Sequence, residues 1–490
     1  MIPKYVKAAS RVVVRTVGQG FLEVYASPLG EMPVVHVMGS PIDMGRQYGA
    51  LVGDTIAKNV ALTYELFEKL GVAPELKARI LDAAWRRLAP HTPERYIVEM
   101  EATVQGAQAA GFQVTLADMQ RLTAVTNFDL YKREEWLREL LADEGRAASQ
   151  TLAGMARLSC TMFAVWGSRT QDGKMFALRN LDWNSQTGGD ACRLITAYSP
   201  EDRAPFVTMG YGGVIGALAG MNEYGVSISE VGAFCASERL DGTPWVFMAR
   251  RILEESYSLE DAVAIVRETK HTLGYNYLVA FGDPERFGLP GFRPRAAAFE
   301  TNFTSCETFL DNDSKEHAAQ WRDANGAAHR YGLPMTEAVM RADTAFAPAT
   351  RAAQAADNGP GNPDNDGNLF KEFECNSYLE CHKPMHDMIR AYETGAEYVF
   401  PVRGTKAIEA GTPRKIGHEE ALTIAATVAH NTEKLHLNDW DTMSVVYAPT
   451  DLDFWVAYES CDAAGNWTNA PDSGYWQFNV AELVQAAPHD

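Results

Sequence analysis

The sequence predicts an α+β protein in which two β-sheets pack together and helices cover their outer faces. Valine-rich runs typical of strands come first, and a long region of helical periodicity follows. Further strands, two helices, more strands, a helix and a terminal hairpin complete the order, which favours layered sheets with external helices. A chain of 490 residues with 46% hydrophobic content is long enough to bury a core of this size.

The first part of the chain is predicted to change from strands to helices near residue 40. Strand patterns occupy Arg11–Met38, and Ser40-Pro41 is a typical helix start. The glycines that follow predict close packing between helices. Helical periodicity then runs over Thr55–Leu141, and the polar, small-residue stretch Glu144–Gly154 is typical of a flexible linker that a cut can sever.

The central stretch of the chain is predicted to form a β-hairpin. Two apolar runs, Thr161–Trp166 and Met175–Leu181, flank the turn dipeptide Asp172-Gly173, which tolerates the positive φ angles of a tight hairpin. If the turn contains only these two residues, Cys160 returns to the neighbourhood of residues 182–185.

Three polar residues of this hairpin could meet at one end. Side-chain alternation places Arg179 on the same face as Cys160, whereas Asp182 needs a bulge or the strand end to reach the thiol. A guanidinium favours the reactive thiolate, and a carboxylate can hold a neighbouring amine. The hairpin alone also fits a buried, inert cysteine beside an ordinary salt bridge.

The same residues resemble the nucleophile hairpin of N-terminal-nucleophile (Ntn) hydrolases. The stretches are Ser159-Cys160-Thr-Met-Phe-Ala, Asp172-Gly173-Lys and Arg179-Asn-Leu-Asp182-Trp. The similarity is to the cysteine branch, namely acyl-CoA:6-aminopenicillanic acid (isopenicillin N) acyltransferase-like proteins of the peptidase C45-like type. Choloylglycine hydrolases and acid-ceramidase-like amidases are more distant relatives.

This resemblance implies a four-layer αββα sandwich and a precursor that cuts itself between Ser159 and Cys160. The freed Cys160 would be the nucleophile, and its own α-amino group would be the general base. Arg179 would tune the thiol or meet substrate, and Asp182 would position the new amine. Relatives often carry glycine where this chain has Ser159, a departure that concerns the rate of self-cleavage.

Two asparagines are candidates for stabilising an oxyanion. Asn222 lies in the turn Gly220–Gly225, and Asn302 ends a predicted strand in a Thr-Asn-Phe sequence. The resemblance implies that a similar Asn-Glu-x-Gly turn and a similar Thr-Asn motif belong to the active site, together with the Thr161 or Asn222 backbone. Ordinary turn chemistry and strand termination explain both asparagines equally well.

The resemblance divides the chain into two segments. Residues 1–159 form an N-terminal segment of short strands and then helices, which becomes the small chain after cleavage. Residues 160–490 form the catalytic segment. Within it, residues 311–415 are predicted to be a loop-rich insertion, because Asn358–Gly367 has a composition that cannot build a core.

Several function classes are disfavoured by composition and motifs. A net charge of −20 argues against nucleic acid or an anionic membrane as partner. No apolar run reaches membrane-helix length, no signal peptide is indicated, and the seven cysteines fit a reducing compartment, so a cytoplasmic location is predicted. A Walker loop and a strand-linked Gly-x-Gly-x-x-Gly are both missing, and no cofactor is expected.

Two other groups of residues were weighed as chemical sites. Cys375, Cys381, His382 and His386 form a metal-like cluster, but its spacing and Pro384 favour packing over metal binding. A serine triad drawn from Ser227, Ser229, His430 and Asp439 lacks the Gly-x-Ser-x-Gly motif of such hydrolases.

The predicted function is therefore a self-processing N-terminal-cysteine hydrolase that cleaves a linear amide bond of a small N-acyl compound through an acyl-thioester. One alternative is an acyltransferase that passes the acyl group to an amine. The other is a non-catalytic scaffold in which residues 1–159 stay attached and occlude Cys160. The two fragments of a processed chain are expected to stay associated, and a homo-oligomer is possible.

Overall fold

The computed structural model describes most of the chain. The described ranges are 2–7, 10–69, 72–127, 160–183, 186–233, 235, 237–322, 327–357, 378–401, 403–429 and 440–488. Ser159, Cys375, His430, Asp439 and the stretch 358–377 lie outside them, so the predictions that concern those residues are not addressed by the structure.

The strands and helices of the described ranges are numbered in chain order. The strands are β1 (Tyr5–Lys7), β2 (Ser10–Val17), β3 (Gly20–Ser27), β4 (Gly30–Gly39), β5 (Thr161–Val165), β6 (Phe176–Trp183), β7 (Arg193–Pro200), β8 (Phe206–Tyr211), β9 (Ala219–Asn222), β10 (Val226–Gly232), β11 (Tyr275–Phe281), β12 (Arg295–Asn302), β13 (Ser305–Phe309), β14 (Gln320–Arg322), β15 (Ala328–Arg330), β16 (Ala338–Arg341), β17 (Tyr398–Phe400), β18 (Thr405–Ile408), β19 (Trp440–Ala448), β20 (Asp453–Tyr458), β21 (Ser460–Cys461), β22 (Trp467–Thr468) and β23 (Tyr475–Asn479). The helices are α1 (Pro41–Lys69), α2 (Pro74–Leu88), α3 (Glu94–Ala109), α4 (Leu116–Thr126), α5 (Trp245–Glu255), α6 (Leu259–Glu268), α7 (Ser314–His317), α8 (Pro348–Asp357), α9 (Lys383–Thr394), α10 (His418–Val428), α11 (Ala470–Ser473) and α12 (Val480–Val484).

Two large sheets form the centre of the molecule. A seven-stranded sheet has the order β1-β23-β20-β19-β6-β5-β16, and a ten-stranded sheet has the order β13-β12-β11-β10-β9-β8-β7-β4-β3-β2. The sheets face each other where β5, β6 and β16 contact β10, β11 and β12. The interface is filled mainly by apolar side chains, which supply most of the stabilisation.

Helices cover the outer faces of both sheets. On the seven-stranded sheet, α10 packs on β6 and β19, and a second apolar core lies beneath it and α9. On the ten-stranded sheet, α5 and α6 pack on β9 to β12, and α1 packs on β3 and β4. The arrangement confirms the predicted α+β, four-layer αββα sandwich. No helix in the described ranges combines the length and apolar character needed to cross a membrane.

The predicted hairpin is present as β5 and β6, but its turn is longer than expected. Asp172 and Gly173 have the predicted positive φ angles of 56° and 73°. Residues 166–175 nevertheless connect the strands, so Thr161 lies opposite Asn180 and not opposite residue 184. A shift of four residues preserves side-chain alternation, and Arg179 therefore stays on the Cys160 face as predicted.

The small residues near the start of α1 allow close helix packing, as predicted. A Cβ added to Gly49 would lie 1.9 Å from the carbonyl oxygen of Thr103, and one added to Gly106 would lie 2.2 Å from that of Arg46. Helices α1 and α3 thus approach with almost no side chain between them, and α3 is held firmly against the body of the fold.

The predicted insertion contributes to the central fold, which corrects its description as a loop-rich addition. Strand β16, from within residues 311–415, is the edge strand that pairs antiparallel with β5 from Val165 to Met162. All four residues of this short strand, Ala338 to Arg341, are buried. Strand β5, which follows Cys160, is therefore covered on both sides, by β6 and by β16.

The N-terminal segment is part of the sandwich and begins with strands before its helices. Strand β4 pairs in parallel with β7, and β1 pairs in parallel with β23, so the segment enters both sheets. A buried ion pair adds to this: Arg250 on α5 donates to both carboxylate oxygens of Glu99 on α3 at 2.8 and 2.6 Å. Arg250 also donates to Glu254 at 2.7 Å.

We expect Glu99→Gln to lower the free energy of unfolding by about 3 kcal/mol, since breaking a buried pair leaves a charge without its full complement. Urea unfolding followed by circular dichroism measures this. Glu260→Gln is the matched control, because its partner Arg295 and the carboxylate are both exposed and the loss should stay below about 1 kcal/mol. Equal losses in the two variants would contradict a stabilising role for the Glu99–Arg250 contact.

Candidate active site

Cys160 lies immediately before β5, between the two sheets. Its side chain is buried, with a relative exposure of 1%, and its Sγ donates to the backbone carbonyl of Asp182 at 3.8 Å. The antiparallel pairing of β5 and β6 produces this contact, because Thr161 lies opposite Asn180 and the next position brings Cys160 beside Leu181.

A buried ion pair lies beside the thiol. The guanidinium of Arg179, fully buried, donates through Nη2 to Oε2 of Glu230 at 2.9 Å and through Nη1 to the carbonyl of Asn180 at 3.1 Å. Arg179 belongs to β6 and Glu230 to β10, so the pair joins the two sheets. Burial raises the pKa of Glu230 to about 7, although Arg179 lowers it.

The thiol is held in its neutral form in the intact chain. Burial raises the pKa of Cys160 to about 12, Arg179 lowers it, and the negative charges of Glu230 and Asp343 raise it again. The predicted effect of Arg179 on the thiol is present in direction but is outweighed by desolvation. A thiol in this state is a weak nucleophile.

Asp182 lies near the end of β6, where its backbone carbonyl accepts a hydrogen bond from the thiol. Its Cα partner on β19 is Asp441, and a β-bulge follows between Asp441 and Met443. The extra residue of this bulge, Thr442, lies in β19, so the bulge leaves the side-chain alternation of β6 unchanged. Asp441 is fully buried, and burial raises its pKa well above the usual range.

The structure does not bring Asn222 to the thiol. Its Nδ2 donates to the carbonyls of Leu253 and Ser256, and its Oδ1 accepts from the amides of Tyr224 and Val226. All four hydrogen-bonding positions of the amide are therefore used, by the turn itself and by the end of α5. Val226 begins β10, and Glu230 lies four residues further on, about 13 Å along the strand. The geometry gives no support to the predicted oxyanion role of Asn222.

Asn302 lies at the same end of the ten-stranded sheet as Glu230. It ends β12, where Thr301 pairs with Tyr275 and Tyr275 pairs with Gly232 of β10. Its Oδ1 accepts from the amide and the hydroxyl of Thr304, both at 2.9 Å. Within the described part of the chain, no acceptor is hydrogen-bonded to its Nδ2.

Cys381 and His382 of the metal-like cluster are buried and packed against other residues of the protein. Cys381 is buried and donates to the carbonyl of Val428 at 3.7 Å, and His382 stacks on Tyr378. Burial holds the pKa of His382 well below its usual range, so the ring is neutral. The described residues contain no group of three or more His, Cys, Asp or Glu side chains that could hold a metal ion.

A cleft opens beside the end of β6. One wall comes from α1 and α4 of the N-terminal segment, and the other includes Trp183, Tyr211 and Thr442. Thr442 connects the cleft to the hairpin, because its Oγ1 donates to the carbonyl of Leu181 at 3.1 Å. Since the carbonyl of the neighbouring Asp182 contacts the thiol, the cleft adjoins the Cys160 end of the hairpin.

Comparison with protein families supports the predicted resemblance. Residues 168–286 match the model of the acyl-coenzyme A:6-aminopenicillanic acid acyl-transferase family. The resemblance to this acyltransferase family is confirmed. The matched region holds Arg179, Asp182, Asn222 and Glu230, and it begins after Cys160.

Other similarities are more remote. An uncharacterized protein of Archaeoglobus fulgidus is 25% identical over 260 residues, which are 51% of this chain and 41% of that protein, so the match spans well under half of the relative. Three solved structures show 12% identity each. They are the Caenorhabditis elegans N-acylethanolamine-hydrolyzing acid amidase ortholog (TM-score 0.34; 59% of this chain, 93% of that one), a mutant conjugated bile acid hydrolase from Clostridium perfringens (0.35; 65% and 96%) and penicillin V acylase from Agrobacterium tumefaciens (0.34; 64% and 88%). At such TM-scores, the fold assignment depends on the layers and strand order described above.

Glu230 and Asp441 are the site residues that the sequence analysis missed. Each is a carboxylate inside a run that is otherwise apolar or weakly polar, in strands whose described residues are buried. A buried acidic residue is costly without a partner, so an acidic residue in an apolar strand indicates a paired carboxylate. The sequence offered this signal for both residues.

We expect Glu230→Gln to lower the pKa of the Cys160 thiol, because the substitution removes a negative charge that raises it and leaves Arg179 less neutralised. Alkylation of Cys160 by iodoacetamide at a fixed pH below the thiol pKa should become about tenfold faster, corresponding to about one pKa unit. Peptide mass spectrometry across a pH series measures the rate. Cys192, buried elsewhere, is the internal control and should keep its rate. An unchanged Cys160 rate would show that Glu230 does not control the thiol.

Proposed function

We propose that this protein is a self-processing cysteine amide hydrolase of the Ntn type, acting on a linear amide bond of an N-acyl compound. The observation that carries the proposal is the placement of Cys160 directly before a central strand, beside Arg179 and against the backbone of Asp182. The four-layer sandwich and the acyltransferase family match over residues 168–286 support it.

Self-cleavage is the first step of this proposal. The Cys160 thiol adds to the carbonyl carbon of Ser159, the Ser159–Cys160 amide bond breaks, and the α-amino group of Cys160 is released. Water then hydrolyses the thioester, leaving a carboxylate on Ser159 and restoring the thiol. The new α-amine, which Asp182 positions, supplies in its neutral form the base that the intact chain does not offer to its buried thiol.

Turnover would follow the same chemistry on substrate. The α-amine accepts the thiol proton, sulfur attacks the acyl carbon, and the amine of the substrate leaves with a proton as the acyl-thioester forms. Water resolves the thioester to a carboxylic acid. In this proposal Asn302 donates to the oxyanion through Nδ2, together with the Thr161 backbone N–H, and such donors are typically worth about 3 kcal/mol each.

Acyl transfer is the alternative within the same fold, since an amine that replaces water gives a new amide. The family match favours this alternative, because its description names an acyltransferase. The scaffold alternative fits the burial of Cys160 in the intact chain. The cytoplasmic location and the possibility of a homo-oligomer stay predictions.

Cys160→Ala should give a single 490-residue chain, whereas the wild-type protein should give two co-purifying pieces separated after Ser159. The reason is that the thiol is the only group asked to attack the Ser159 carbonyl. Intact mass spectrometry of both purified proteins measures this. The pieces should stay together, because the N-terminal segment pairs with strands of both sheets. Cleavage at this bond in Cys160→Ala would refute self-processing, and an uncut wild-type chain would favour the scaffold.

Asp182→Asn should separate processing from turnover. The α-amine that Asp182 positions exists only after the cut, so we expect a cleaved protein whose kcat is at least about 100-fold lower. A gel and steady-state kinetics on N-acyl amides measure the two effects. Asp453→Asn, a half-buried carboxylate on β20, is the control and should change neither. A cleaved and fully active Asp182→Asn protein would remove this residue from the mechanism.

A further inference from the structure

The cleft beside the Cys160 end of the hairpin is assembled from both segments of the chain. Leu62 and Leu66 on α1 and Leu122 and Val125 on α4 supply its N-terminal wall. Trp183 and other residues of the catalytic segment supply the opposite wall. An apolar cleft between two parts of a chain is a typical place for a small-molecule site.

The hydrogen-bonding groups of this cleft are largely committed to the protein itself. Asn59 donates to the carbonyl of Gly212 at 2.7 Å, and the hydroxyl of Tyr211 donates to the carbonyl of Thr442 at 3.2 Å. What the walls offer to a ligand is therefore mainly aliphatic and aromatic surface, and burying such surface favours an apolar group.

The cleft also disfavours a negatively charged ligand. Among the described residues that line it, no lysine or arginine occurs, and the acidic side chain is Glu459. Oε2 of Glu459 accepts from the backbone N–H of Gln186 at 3.0 Å, which holds the loop bearing Thr187 and Gly189 at the rim. Burial raises the pKa of Glu459 to about 8, Gln186 lowers it, and Asp190 raises it. An anionic group would thus meet no counter-ion among the described lining residues.

We propose that this cleft binds the acyl group of the substrate and selects an uncharged, apolar chain over one that ends in a carboxylate. The inference extends the proposed amide hydrolysis, because it names the acyl class that the same site accepts. It also gives the N-terminal helices a role in specificity, since α1 and α4 form one wall.

Binding tests the cleft without requiring any chemistry. Calorimetry at pH 7 on Cys160→Ala protein should show that octanamide binds and that octanoate binds at least about tenfold more weakly, because its charge is desolvated without a partner. Leu66→Trp should weaken octanamide binding about tenfold by filling the cleft. Ala61→Trp is the matched control on the exposed side of α1 and should leave binding unchanged. Thr63→Trp, a second lining position, should repeat the Leu66→Trp result.

Equal binding of octanamide and octanoate, or octanamide binding that survives both Leu66→Trp and Thr63→Trp, would overturn the inference. Turnover separates it from the proposed function. With N-octanoyl and N-suberoyl amides of one fluorogenic amine, wild-type kcat/KM should favour octanoyl, and Leu66→Trp should reduce that preference. Octanamide binding without Cys160-dependent turnover of either amide would refute the hydrolase and leave the cleft inference standing. Turnover that Leu66→Trp and Thr63→Trp leave unaltered would refute the cleft inference alone.

Discussion

The buried ion pair between Arg179 and Glu230 connects the two sheets beside Cys160. Because both charges are removed from water, each needs the other, and the geometry around the thiol is fixed by that need. The same ion pair reduces the extent to which Arg179 lowers the pKa of the thiol, because the negative charge of Glu230 cancels part of the positive charge of Arg179. Burial therefore raises the pKa of the Cys160 thiol to about 12. The thiol is thus correctly positioned for attack but unreactive, and a base that appears only when the α-amine is released would resolve this contradiction.

Local patterns were sufficient for the hairpin and for the neighbours of Cys160. Alternation along β5 and β6 depends only on the parity of the connection, so Arg179 faced the thiol even though the predicted turn was too short. Helix starts were equally local: Ser40-Pro41 was predicted as a helix start, and α1 begins at Pro41. The four layers followed from the order of such elements, and the resemblance supplied their arrangement.

Non-local contacts could not be predicted in the same way. The sequence around Asn222 is that of a turn whether the side chain stabilises the turn or an oxyanion. Only the position of α5 and of the residue after it shows that Nδ2 of Asn222 is already hydrogen-bonded. The role of Glu230 depends on its ion pair with Arg179, which lies 51 positions earlier in the chain. Strand β16 was included in the loop-rich insertion because of the composition of Asn358–Gly367, whereas its pairing with β5 makes it part of the sheet. In each case a distant partner decided the role.

Under the proposed function, processing and specificity would both depend on how the N-terminal segment pairs with the two sheets. A cut before Cys160 would leave β4 paired with β7, β1 paired with β23, and Glu99 bound to Arg250. Breaking the chain there therefore gives the thiol a new neighbour without removing a wall of the cleft, since α1 and α4 are held by contacts far from the cut. A segment that only occluded the thiol would have no need to enter both sheets. Its integration is what a permanent part of a binding site requires.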